Sequence, residues 1–397
     1  MRLPNYKDGA ATRLSFQVAR LPVKSLRVVL LFGPGYAAYR KEGDFVLIRK
    51  KRGNFLEDFR VGQRFRHKVG KTVTEGLFNA FTEFGMTTNP LSKNLRYAQR
   101  YGFKGLTAPP GLVMNIVFSQ SVEDISENAR ANLEYRDMRF GAPVYVSDTV
   151  EVETSIVGVQ PSSKEPDRGV VHVQTTGRNQ HGEIVLTLQR KVQVWKDNQD
   201  AKVEAAALSE VPEIPCDLHV PSYDQARNYQ ELAHLTNADT YFEDFNAGDT
   251  LEHSRGRTVT TAHMEWTAML DNTSQVHSNQ HMIDQNPGKY IGGQLIVYGG
   301  IPFNLCLGLS CPDVGDNAMG DVCYITGRHT GPVFVGDTVF AATEIKDKRD
   351  YPGRPDLGIV STILRGHKFV KKGEAWEKME IFYLEREIAV KRRSHYV

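Results

Sequence analysis

Apolar and polar residues follow two different periods along this chain, and the same switches between them occur twice. In residues 75–84 and 262–270, Phe78 and Phe81, then Trp266 and Met269, fall three apart, the spacing of one helix face. Further on, Leu112-Val113-Met114 with Ile116-Val117-Phe118, and later residues 301–309, are apolar nearly all round. Such helices have no wet face and are predicted to be buried on every side. Two-residue alternation, as in Val171-His172-Val173-Gln174, marks strands at 149–157, 170–175 and 184–195, and again at 338–343, 358–364 and 379–384. Short strands at Thr72-Val73-Thr74 and Thr258-Val259-Thr260 precede the first helix of each set. The simplest cover for an all-round apolar helix is a curved antiparallel sheet with one wet face, so the pattern predicts an α+β fold with one wrapped helix per sheet.

The repetition extends to individual residues. Phe55-Leu56-Glu57-Asp58-Phe59-Arg60-Val61-Gly62 returns 186 positions later as Tyr241-Phe242-Glu243-Asp244-Phe245-Asn246-Ala247-Gly248, and His67 returns as His253. Arg139 with Pro143-Val144-Tyr145-Val146 returns 189 positions later as Arg328 with Pro332-Val333-Phe334-Val335. Two markers in one order with a small insertion between them mean a duplicated domain, not a short-period solenoid. The halves are assigned to 54–197 and 238–397. Residues 198–237, with Val211-Pro212-Glu213-Ile214-Pro215, read as a linker. Residues 1–53 show none of this pattern.

Charge separates that first stretch further. It holds twelve Lys or Arg against three Asp or Glu, a net +9, while the remaining 37 basic and 44 acidic residues give −7. Residues 1–53 are therefore expected to be a disordered basic extension or sequence upstream of the true start. The mildly acidic remainder argues against a nucleic-acid partner. No apolar run reaches the roughly 18 residues that would span a bilayer, so no membrane partner is expected. Cys216, Cys306, Cys311 and Cys323 form no C-x-x-C pair and are expected as reduced, buried thiols of a cytoplasmic protein.

Candidate chemistry concentrates in Asp271-Asn272-Thr273-Ser274-Gln275-Val276-His277-Ser278-Asn279-Gln280-His281, followed by Gly292-Gly293 and Tyr298-Gly299-Gly300 at the start of the second buried helix. An amide five residues before a histidine, then bare backbone N–H donors, suits the addition of water to an acyl thioester: a base for the water, and donors where charge grows on the thioester oxygen. His277 and His281 lie four apart and could share a helix face as metal ligands, but no glutamate follows the first as in zinc proteases, so no metal is assigned. His67 and His253 occupy equivalent strand positions in both copies, which favours a structural role.

Val276-His277-Ser278-Asn279-Gln280-His281, Leu295-Ile296-Val297-Tyr298-Gly299-Gly300, Thr176-Gly177-Arg178-Asn179-Gln180-His181-Gly182 and Asp124-Ile125-Ser126 resemble segments of the MaoC-like hydratases with two fused hotdog units, over about 54–386. The resemblance implies two hotdogs in one chain, an acyl-CoA substrate, no cofactor beyond the coenzyme A of that substrate, and reversible hydration of a carboxylated, branched C5 enoyl-CoA. That family carries an Asp-x-Asn-Pro-Leu-His segment. The first half has Thr87-Thr88-Asn89-Pro90-Leu91-Ser92 there and has lost both proton-transfer groups; the second has Asn272-Thr273-Ser274-Gln275-Val276-His277 and keeps the histidine. Catalysis is accordingly assigned to the second half, through His277, Asn272 and, one position out of register, Asp271. Gly299 and Gly300 are the thioester donors, and Arg328 is the candidate for the substrate carboxylate. A broader (R)-type enoyl-CoA hydratase, an acyl-CoA thioesterase and a non-catalytic acyl-CoA-binding protein stay open on the residues alone, as does further homo-oligomerisation.

Overall fold

The computed structural model describes residues 52–397 in full, and the backbone of Leu30–Gly33, Tyr36–Arg40 and Val46–Lys50 before them. Those three strands pair antiparallel in chain order as a small sheet of their own. The disordered extension expected at 1–53 otherwise falls outside the described residues.

From Gly53 to Val397 the chain forms one compact unit. Its first half runs through α1 (Glu75–Asn79), α2 (Pro110–Gln120), β1 (Ala129–Phe140), β2 (Thr149–Pro161), β3 (Arg168–Arg178) and β4 (Ile184–Trp195). The second repeats the series as α3 (Thr261–Met269), α4 (Gly300–Ser310), β5 (Ala318–His329), β6 (Thr338–Tyr351), β7 (Arg354–Lys372) and β8 (Ala375–Lys391). The strands lie in the order β2-β3-β4-β1-β5-β8-β7-β6, all neighbours antiparallel, so the two hotdog sheets are joined edge to edge through β1 and β5. The order reads the same outward from that junction in both directions. That is the signature of a pseudo-twofold axis between the halves.

Neither β1 nor β5 shows in the two-residue alternation, and their pairing explains this. Register shifts interrupt β1 against β4 between Ala129 and Ala131, Asn132 and Glu134, and Arg136 and Arg139; β5 is interrupted against β8 three times as well. Each bulge adds a residue and inverts which side chains face the core. A strand with three of them has no uniform period to read.

The two long helices are buried as their composition predicts, α4 from its first residue to its last and α2 from Gly111 onward. They cross at a reciprocal contact. A Cβ on Gly111 would overlap the Asn304 side chain, and one on Gly300 would overlap Asn115 Oδ1. Asn115 Nδ2 donates to the Gly111 carbonyl at 2.7 Å and to the Gly300 carbonyl at 3.1 Å, so the amide NH2 bridges the two backbones while its oxygen is left without a partner. A single apolar core runs across both halves, from Leu112 and Phe118 to Phe303 and Leu305.

The equivalent histidines are tied identically. His67 bonds through Nδ1 to Asp124 at 2.7 Å and through Nε2 to Thr154 at 2.7 Å; His253 bonds to Asp313 at 2.6 Å and Thr343 at 2.8 Å. The stretch between the halves lies packed on them: Ala206–Ala207 pairs with β2, and Cys216, Tyr229 and Leu232 are buried. All four cysteines are buried free thiols. Among the described residues no helix is long and apolar enough to cross a membrane.

Candidate active site

His277 sits in a short 3-10 turn, Gln275–His277, that follows α3. Just before it, the Asn272 side-chain oxygen accepts the Ser274 N–H at 3.1 Å, an Asx-type turn that fixes the bend. The His277 Nδ1–H donates to the Ile296 carbonyl at 2.8 Å. Nδ1 is thereby the protonated nitrogen, and Nε2 carries the lone pair with no hydrogen-bond partner among the described residues. The ring packs 5.5 Å from that of Tyr298. Dense walls around it disfavour the imidazolium and push its pKa down to about 4, against a smaller upward effect of the carbonyl.

His277 lines a cavity of about 340 Å³ built by both halves. The second half contributes Asn272, His277, Tyr298, Gly299 and His329; the first contributes Phe118, Ser126, Asn132, Tyr135 and Trp195. Gly299 is the N-cap of α4, so the positive end of the helix dipole lies at the cavity wall, although Ile301 N–H is taken by the Tyr298 carbonyl and Pro302 has none.

Of the residues singled out in the sequence, the structure brings His277, Asn272 and Gly299 together. Gly300 is one step behind, packed on Asn115 rather than on the cavity. Asp271 is turned away: it is exposed, in a left-handed conformation with φ 59°, and paired with Lys71 Nζ at 2.7 Å. Arg328 also lies outside, its guanidinium 4.2 Å from the centre of the Tyr383 ring. Strand alternation explains that miss, since the neighbouring His329 is the one that faces the cavity.

His329 is the residue that the sequence reading passed over. Its Nε2 lies 3.0 Å from the Tyr135 hydroxyl, and a Cβ on Gly299 would come within 2.5 Å of that nitrogen. Burial pushes its pKa to about 4 as well. A signal for it was available: the 189-residue offset that matches Arg139 to Arg328 matches Phe140 to His329, so a polar ring stands in one copy where an apolar one stands in the other.

The pseudo-twofold counterpart of this cavity is smaller, about 120 Å³, and is lined by Ser92, Pro110 and Phe140 where the larger one has His277, Gly299 and His329. Leu218 and His219, from between the halves, also line it.

The mesaconyl-CoA hydratase family model matches residues 43–368. The chain belongs to that family. It is 38% identical over 309 residues to the β-methylmalyl-CoA dehydratase of Chloroflexus aurantiacus, covering 77% of this chain and 86% of the relative. Among solved structures, a MaoC domain protein dehydratase from the same organism superposes with a TM-score of 0.76 at 32% identity, over 86% of this chain and 98% of that one. The double-hotdog protein Rv0216 of Mycobacterium tuberculosis, at 20% identity and a TM-score of 0.68 over 85% of this chain and 98% of that one, shares the fold. Like other members of the family, the chain is a MaoC-like double hotdog, as its sequence suggested.

Proposed function

We propose that this protein is a hydro-lyase that adds water reversibly to mesaconyl-CoA, giving β-methylmalyl-CoA, with His277 as the proton-transfer group. The observation that carries the reading is the state of His277: Nδ1 is committed to Ile296, and Nε2 is left as an acceptor in a cavity that also holds the start of α4.

The chemistry follows from these groups. Neutral His277 takes a proton from water as oxygen adds to the β-carbon of the enoyl thioester. Charge moves to the thioester oxygen, where the N–H of Gly299 and the positive end of the α4 dipole stabilise it. The imidazolium then returns the proton to the α-carbon, and a buried imidazolium is a strong acid for that step. Asn272, with its oxygen already engaged by Ser274, offers amide N–H donors that orient water without accepting its proton. The sequence of steps requires no metal or redox group, only the coenzyme A of the substrate. Buried free thiols fit the reducing cytoplasm.

The test is the decay of enoyl-thioester absorbance with mesaconyl-CoA beside crotonyl-CoA, with a thiol reagent in parallel and His277→Ala as control. Rapid loss with mesaconyl-CoA, no released thiol and an inactive variant are expected. Thiol release would make the protein a thioesterase, and no loss with either substrate would sink the hydratase reading.

A further inference from the structure

The two halves treat one buried arginine differently. In the second half Arg386 on β8 pairs in register with Tyr324 on β5, and its guanidinium lies 3.5 Å from Asp321, which also accepts the Tyr324 hydroxyl. In the first half Arg190 on β4 pairs in register with Tyr135 on β1, and the residue in the Asp321 position, 189 earlier and next to the same bulge, is Asn132. Arg190 is 1% exposed, yet its polar contacts are the hydroxyls of Ser121 at 2.8 Å and Ser126 at 3.4 Å, and its guanidinium rests 4.3 Å from the Phe118 ring centre. No carboxylate lies within ion-pair distance of it among the described residues.

A buried cation without a counter-charge is strongly unfavourable and persists where something supplies the anion. The opening at this place is visible. Both polar side-chain atoms of Asn132 are buried without a hydrogen-bond partner, and Asn132 and Ser126 line the catalytic cavity, with Ser126 Oγ 3.4 Å from the Arg190 guanidinium. The substitution of Asp321 by Asn132 thus removes a carboxylate from one wall of the active cavity and leaves its donors and its counter-charge behind.

We propose that the missing carboxylate is the substrate's own: the free carboxylate of the acyl group is received by Asn132 Nδ2 and Ser126 Oγ, with Arg190 as the counter-charge behind them. This rests on the reading of the substrate as the thioester of a dicarboxylic acid, which leaves one carboxylate free. It gives the catalytically degenerate half the role of selecting carboxylated over uncharged acyl groups, and it replaces Arg328, which faces away from the cavity, in that role. An amide is suited to the position because it donates to the anion, where an aspartate would repel it.

The decisive variant is Asn132→Asp, which restores the arrangement of the other half and fills the site with the protein's own carboxylate. Affinities of two unreactive saturated thioesters, succinyl-CoA and butyryl-CoA, are measured by calorimetry on the full chain and on the variant. The wild type is expected to favour succinyl-CoA, and Asn132→Asp to reduce that preference about 10- to 100-fold, the range of one charge-assisted interaction. Its melting temperature is expected to rise, because Arg190 gains a partner, so loss of folding does not obscure the result. A wild type without preference for succinyl-CoA, or a preference that survives Asn132→Asp, overturns the proposal. Mesaconyl-CoA turnover, read separately, tests the hydratase assignment: absent turnover with an intact, Asn132-dependent succinyl-CoA preference would sink that assignment and leave the carboxylate site standing.

Discussion

Ser92 donates its hydroxyl to the Thr107 carbonyl at 2.7 Å, in the place where His277 donates Nδ1–H to the Ile296 carbonyl. Thr107 and Ile296 are 189 residues apart, the offset of the duplication. The first half has therefore kept the bond that orients the His277 ring in the second and lost the ring that the bond orients. A serine satisfies the carbonyl but presents no second nitrogen to the cavity.

Replacing His277 by alanine is expected to lower turnover at least ~100-fold, the scale of a lost general acid or base, with the fold retained. The free-enzyme kcat/KM should hold from pH 8 downward and fall with a midpoint near 4, where the half-buried ring takes up its proton, and not near the ordinary 6.5. A profile of kcat/KM against pH measures this.

The same burial makes the fold acid-sensitive. His277 and His329, both with pKa pushed from 6.5 to about 4, bind fewer protons folded than unfolded between those values. Stability then rises with pH through that window and is lost as pH falls through it. Melting temperatures taken from pH 7 down to 4 should decline, and the decline should be shallower in His277→Ala.

Asp271→Asn and Arg328→Ala are expected to leave kcat and KM for mesaconyl-CoA within about twofold, since surface side chains away from such features have small effects. Asp271 is held by Lys71 and Arg328 by Tyr383, both outside the cavity. A tenfold or larger rise in KM for Arg328→Ala would return it to the substrate site.

His67→Ala and His253→Ala should each cost about 1–3 kcal/mol of stability, because each removes a buried ring bonded to both a threonine and an aspartate, although Thr154 keeps its bond to Thr175. Denaturant midpoints should shift in both variants, and by similar amounts, while His253→Ala retains the pH profile of turnover.

Gly300→Ala is expected to destabilise the fold by about 1–3 kcal/mol through overlap with Asn115 Oδ1. Asn115→Gly should recover part of that loss when combined with it, which a double-mutant cycle would measure.

The parts of this fold that were legible in the sequence are those with an undisturbed period. The helices α2 and α4 are apolar on every face, and β4 alternates from Leu188 to Trp195, so their places could be read directly. The junction strands β1 and β5 could not, because bulges break their period, and with them went His329, Tyr135 and Asn132, which reach the cavity from those strands. His277, Asn272 and Gly299 were found because they sit in one short segment of chain. The outward turn of Asp271 and Arg328 depends on a single left-handed residue and on strand parity, neither of which a spacing records.

The amide of Asn115 closes on the Gly300 carbonyl from 185 residues upstream and fills the space that a side chain at 300 would need. An idle copy in a duplicated protein is ordinarily free to drift or be discarded. Here the halves cannot drift independently, because the first turn of α4 in the second half is packed on a side chain from the first. A side chain added at position 300 therefore meets a residue of the other half, and what it costs is set jointly by the two copies.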